Sequence, residues 1–333
     1  MAMMWREGTH FRRWLPIAAA LLLACSANAE EALPVESGGT ITATERWELR
    51  GFAVGQAAGN HTRAEGQMMM PDVLTLSDGS MRMYYGQRSP LPTGENILVA
   101  ASTDGGQTWA PRGVALAGAS TDNERTRIIG GPSVIVLPDG RYRMFSRCSV
   151  WVGNGRPDYH IRSAISDDGW TFTDEGIRID NKTWDPASPW LTVGHGRFYA
   201  LADGSWAAIL SVESVKAQPS DLALFTSLDS LHWTYVRTLY KGFHDPVVVY
   251  TDDGYLMVAS YLTERAARMH SADGLSWPAE ITALELFEMG SSTPLANERE
   301  TGDFGVMRGA DGELRILSNF PHNRSIAVFE RAP

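Results

Sequence analysis

The chain has 333 residues, with 39 Asp and Glu against 29 Lys and Arg, a formal charge of −10 at pH 7. A surface this acidic excludes nucleic acid and anionic lipid as partners held by general charge. Its two cysteines, Cys25 and Cys148, are too few for a disulfide framework or a metal–thiolate centre.

Residues 1 to 29 carry Arg6, Arg12 and Arg13, then an apolar run from Leu15 to Ala24, then Ala27-Asn28-Ala29. That order is the pattern of a secretory leader cut after Ala29, too short and wrongly flanked for a membrane span. Export to the periplasm or the medium is expected, with lipidation at Cys25 as the alternative because Leu22-Leu23-Ala24-Cys25 is a partial lipoprotein motif. Cleavage leaves 26 Lys and Arg against 38 Asp and Glu, and Cys148 as the single thiol. Residues 30 to 40 read as a short lead-in. No later run approaches the ~20 apolar residues that span a bilayer, so integral membrane association is not expected.

Residues 41 to 333 read as one domain of β-hairpins, expected to act as a monomer. Apolar runs flank Asp-Gly turns at Asp78-Gly79, Asp139-Gly140, Asp203-Gly204, Asp253-Gly254 and Asp311-Gly312, spaced 61, 64, 50 and 58 residues apart. Glycine supplies the positive φ that a tight hairpin turn demands. Between them lie Ser-x-Asp turns followed by an aromatic residue, starting at Ser102, Ser166, Ser227 and Ser271. The alternation predicts a repeat of two hairpins, and about 304 residues divide into five repeats of about 61. The fold class expected is all-β: a five-bladed β-propeller of four-stranded antiparallel blades. The fifth repeat ends one strand short. Trp47 to Val54 matches Trp109 to Leu116, the fourth strand of the first blade, and is expected to close the last blade.

Strand direction separates the two kinds of turn from the site. In a four-strand meander, starts of first strands and ends of second strands share one face, while Asp-Gly and Ser-x-Asp turns lie on the other. Asp and Ser in those turns bond turn amides and are structural. On the opposite face the chain reads Met70-Pro71-Asp72, Gly130-Gly131-Pro132-Ser133, Trp184-Asp185-Pro186, His244-Asp245-Pro246 and Thr301-Gly302-Asp303-Phe304. Carboxylates at four of five first-strand starts would converge on one cavity and raise one another's pKa. Second-strand ends add Arg88, Arg147 and Glu213, with Glu264 close by, and a following loop carries Trp151, whose ring suits the apolar face of a sugar. Substrate contacts are expected from Arg88, Arg147, Trp151, Trp184, His244 and Asp303.

Five such repeats, each opened by an Asp-Pro-like motif and continued by an Asp-Gly hairpin, resemble the five-bladed glycoside hydrolase superfamily of arabinanases, β-xylosidases, α-arabinofuranosidases, invertases and levansucrases. Ser102 to Trp109 resembles the sialidase-type Asp-box, or BNR repeat. The resemblance implies a carbohydrate substrate, an axial Asp of the first blade as base or nucleophile, a second Asp that tunes it, and a Glu as proton donor. It puts Asp72 in the first role and Asp185 in the second. The donor departs from the pattern: blade four offers Asp245, whose axial burial is expected to raise its pKa, and the nearest glutamates are Glu213 and Glu264. No cofactor is expected beyond an optional structural calcium ion in the central channel. Glycoside cleavage at terminal or side-branch sugars follows as the expected activity. Two alternatives stand beside it: a sialidase-like exo-glycosidase drawing on Arg88, Arg147, Arg162 and Arg299, and a non-catalytic glycan-binding propeller.

Overall fold

A computed structural model describes residues 39–62, 66–88, 95–118, 120–121, 125–150, 158–180, 192–214, 217–261, 265–295, 301–321 and 324–333. All regular structure in them is β. In chain order the strands are β1 (Thr40–Gly55), β2 (Gln67–Thr75), β3 (Met81–Arg88), β4 (Glu95–Ser102), β5 (Ala110–Leu116), β6 (Ser120–Thr121), β7 (Arg125–Val136), β8 (Tyr142–Val150), β9 (Asp158–Ser166), β10 (Thr173–Ile179), β11 (Thr192–Ala200), β12 (Trp206–Ser214), β13 (Ala217–Ser227), β14 (Thr234–Lys241), β15 (Phe243–Thr251), β16 (Gly254–Tyr261), β17 (Arg265–Ser271), β18 (Glu280–Phe287), β19 (Gly305–Arg308), β20 (Leu314–Asn319) and β21 (Ser325–Arg331).

They form four sheets: β2 to β5, β6 to β10, β11 to β14, and an eight-stranded sheet ordered β15-β16-β17-β18-β1-β21-β20-β19. The last differs from the separate blades the sequence predicts. Its cause is the length of β1. Residues 40–48 pair in parallel with β18, while Trp47 to Gly55 pair antiparallel with β21, so one 16-residue strand joins two four-strand runs. The antiparallel half is the closing strand expected at Trp47 to Val54; the parallel half was not foreseen.

Packing follows chain order. One apolar cluster joins the β2 sheet to the β7 sheet through Tyr84, Val99, Ile129 and Met144, and the next joins β7 to β11 through Phe145 and Phe198, whose rings stack at 3.8 Å. Further clusters join β11 to β15 and the β15 run to the β19 run. A fifth returns from β1, β20 and β21 to β2, with Val54, Leu317 and Ile326 against Met68, Met83 and Trp109. Alternate residues of each strand feed the two neighbouring interfaces, which explains why apolar runs here are nearly continuous. Because β1 supplies Trp47 to one interface and Val54 to another, deleting residues 41–56 is expected to abolish the single cooperative melt; an unchanged transition in calorimetry would contradict this.

The Ser-x-Asp turns lie at the far ends of the third strands. Asp104 accepts bonds from the amides of Gln107 and Thr108 and from the Ser102 and Thr108 hydroxyls, and the Thr108 contacts lead in holding its pKa down to about 2. Ser102, Ser166 and Ser271 each accept a glycine amide at 2.9 Å. These are turn bonds, away from the other end of the inner strands.

Candidate active site

β2, β7 and β15 break register at the same place, Met69/Asp72, Gly130/Ser133 and His244/Val247, and β11 one residue earlier, at Val193/Gly196. Left-handed backbone marks the break at Met70 (φ 56°), Gly131 (59°) and Asp245 (50°), and recurs at Asp303 (44°) just before β19. The third strand places His195 there. Each of the five residues stands eight positions before the Asp of its Asp-Gly turn. A bulge adds an unpaired residue and re-aims its side chain; left-handed backbone in a non-glycine residue costs about 1–3 kcal/mol and recurs at functional sites. Asp tolerates it best, through local bonds from a short polar side chain. Met70, Gly131, His195, Asp245 and Asp303 all border one pocket. Glycine is required at 131: a Cβ there would lie 1.9 Å from His195 Nδ1.

The charges in this pocket are ordered. Burial alone would push Asp245 up, but a bond from His244 Nδ1 at 2.8 Å and the fields of His195, His244 and Arg147 outweigh it, holding Asp245 down to about 2. Its amide donates to Ser211 Oγ at 2.8 Å, which fixes the bulge to β12. Asp245 is thus ionised. The raised pKa expected for it as a proton donor is corrected: burial was weighed without His244. His195 is pushed down to about 3, first by burial and then by Arg147, so it is a neutral imidazole, and its buried Nδ1 has no partner among the described residues. Arg147 lies over the Tyr159 ring at 5.0 Å. Asp303 accepts from the Asn319 amide at 3.1 Å. Glu95, at the start of β4, is 8% exposed and ion-paired to Arg88; its Oε2 lies 3.3 Å from where a Cβ on Gly130 would sit, and His195 Cε1 lies 3.9 Å from that point.

Asp72 sits lower. It stands six positions before its turn, not eight, in register with Ser133, Arg197, Val247 and Gly305. Only 3% exposed, it accepts the Val134 amide at 2.7 Å and forms an ion pair with Arg197 of β11, itself buried and lowered to about 10 by desolvation. The base or nucleophile expected at Asp72 is held in a buried ion pair with Arg197 and borders the pocket.

Residues 96–331 match the sequence profile of the BNR repeat-like domain. The chain belongs to that family. No curated protein matches it at the sequence level. Solved structures share the fold of this BNR repeat-like chain. A family 117 glycoside hydrolase from the marine bacterium Zobellia galactanivorans matches over 86% of this chain and 90% of its own, with 15% identity and a TM-score of 0.62. A thermostable family-43 glycoside hydrolase matches over 81% and 92%, at 16% identity and TM-score 0.53. A Hadza microbial sialidase matches over 79% of this chain and 56% of its own, at 20% and 0.52.

Of the residues singled out in the BNR repeat-like sequence, Asp245 and Asp303 line the pocket, His244 bonds Asp245, and Arg147 acts on Asp245 through its field. Arg88 is half-exposed and committed to Glu95. Glu213 lies on β12 opposite Thr192, and its side chain falls outside the described set. Trp151, Trp184, Asp185, Glu264 and Arg299 lie outside the described residues. The third inner strand begins at Thr192, and His195 stands at its bulge. His195 and Glu95 were missed. Among the described residues no group of three His, Cys, Asp or Glu could hold a metal ion, and Asp72 faces Arg197. No helix among them is long and apolar enough to cross a membrane.

Proposed function

We propose that the chain is an exported glycoside hydrolase on a five-bladed propeller, the eight-stranded sheet counting as two blades that share β1. The five interfaces running from the β2 sheet back to itself support the blade count. The single observation that carries the activity is the pocket's polar content: an ionised Asp245 and a buried, unpartnered His195 Nδ1 at the end of the inner strands. That a family 117 and a family-43 glycoside hydrolase share the fold supports the substrate class. Asp245 activates water or attacks the anomeric carbon, and a proton delivered through Asp303 or Glu95 releases the leaving oxygen. His195 takes a sugar hydroxyl. The Asp72–Arg197 floor leaves a blind pocket, which suits a chain end or a short branch. Residues 1–29 act as the export leader.

Purified protein assayed on aryl glycosides, neutral and acidic, and on plant and algal polysaccharides tests this reading. Acidic sugars belong in the panel because Arg147 has no carboxylate ion-pair partner among the described residues, which favours the sialidase-like variant of the same chemistry. Glycan-array binding with no cleavage anywhere would leave only the binding propeller. The proton donor is found by leaving group. Of Glu95→Gln and Asp303→Asn, the variant that loses the donor should keep most activity on an activated aryl glycoside and lose it on a natural linkage. If neither shows that split, neither carboxyl is the donor.

A further inference from the structure

Asp245 holds a conformation that its own strand does not supply. It lies in the register break between β15 and β16, between the rungs His244–Ser260 and Val247–Val258, and it precedes Pro246. A proline ring pushes the residue before it towards extended backbone, yet φ at Asp245 is 50°. Backbone so strained persists only where its surroundings hold it.

The hold comes from the neighbouring sheet. Ser211 is buried on β12 between Leu210 and Val212, whose partners flank the β11 break, and its Oγ takes the Asp245 amide at 2.8 Å. Gly194 leaves it room: a Cβ there would lie 3.0 Å from Ser211 Cβ. Two other joints between inner strands carry the same kind of bond. Asp72 takes the Val134 amide at 2.7 Å, and Ser133 takes the Phe198 amide at 2.9 Å. Those two amides lie three residues beyond the bulge positions Gly131 and His195. Of the three bonds, only that of Ser211 lands on the bulge residue itself. Asp245 is thus held from two sheets, its carboxylate by His244 Nδ1 at 2.8 Å within β15 and its amide by Ser211 across the joint.

We propose that Ser211 is a positioning residue for Asp245: its hydroxyl oxygen holds the left-handed backbone that sets the carboxylate in the pocket. The role rests on the reading of Asp245 as the reacting carboxylate, and it makes the preceding sheet part of the geometry of the reaction. Ser211→Ala, assayed on an aryl glycoside that the wild type cleaves, should lower kcat about tenfold or more with KM largely kept, the loss expected of a displaced reacting group. Ser133→Ala removes a bond of the same kind, equally buried, at the joint before it, and should lower the melting temperature comparably while leaving kcat unchanged. A serine that only satisfied a buried amide would give two variants alike, both less stable and neither slower. Ser211→Cys, similar in shape but a weak acceptor, takes the place of Ser211→Ala if that variant does not fold. Crystal structures of wild type and variant give a reading that needs no turnover: Asp245 should leave the left-handed region and part from His244 Nδ1. Unchanged kcat in Ser211→Ala, an equal fall in Ser133→Ala, or Asp245 placed as in the wild type would overturn the proposal. A wild type that cleaves no glycoside overturns the hydrolase reading instead, and the pair of crystal structures then decides the role of Ser211 alone.

Discussion

Replacing Asp245 by asparagine is expected to lower turnover by a factor of about 10² or more while substrate affinity is largely kept. Asparagine preserves size and can still bond His244, so what is lost is the negative charge that the pocket is arranged to hold. The pH profile gives a second reading. With Asp245 held near 2 against an ordinary value of 3.8, its ionisation supplies stability that is fully present above pH 3.8 and is lost as pH falls through about 2. Wild type and Asp245→Asn should therefore converge in stability across that window, and the wild-type acid limb of activity should not be set by a carboxylate titrating near 4. Unchanged kcat in the variant would remove Asp245 from the chemistry.

Arg197→Met is expected to destabilise the fold by about 3–5 kcal/mol, because it leaves the Asp72 carboxylate buried without its cation. The double variant Asp72→Leu with Arg197→Met should recover most of that loss, since an apolar pair of similar volume carries no desolvation penalty. Chemical denaturation of the three proteins measures the coupling. The same series separates structure from catalysis at Asp72. A base would show itself in Asp72→Asn as collapsed turnover at unchanged stability; a buried partner of Arg197 shows lost stability first.

Much of the architecture was legible because turn chemistry is local. Each Asp-Gly turn marks a hairpin, and the bulge residue stands a fixed eight positions before it in all five repeats, a spacing that points to His195 and separates Asp72 from Asp245. Reading the motifs by the presence of an Asp, not by distance from the turn, led to Asp72. His195 carries no carboxylate and is followed by glycine, so nothing in its own dipeptide resembles the Asp-Pro openings. Glu95 was hidden for another reason: its place beside Gly130 depends on packing of the first sheet against the second. The direction of the Asp245 shift was equally out of reach. It is decided by the His244 ring torsion and by Arg147, a residue nearly 100 positions away. The parallel pairing of β1 with β18 leaves no pattern of its own, because strand periodicity fixes which face is buried and not which partner lies alongside.

That pairing orders events during synthesis. β1 is the first strand made, yet Trp47 must meet Leu286 on one side and Arg331 on the other, both within the last fifty residues. Loop-closure cost weighs against such distant pairings until the intervening sheets have formed. Three sheets can pack as the chain emerges, but the joint between first and last waits for the C-terminal strands, and until then β1 lacks both of its neighbours and presents two unmatched edges. A nascent chain is therefore sticky at one place for the longest time, and a chaperone that shields edge strands would act there.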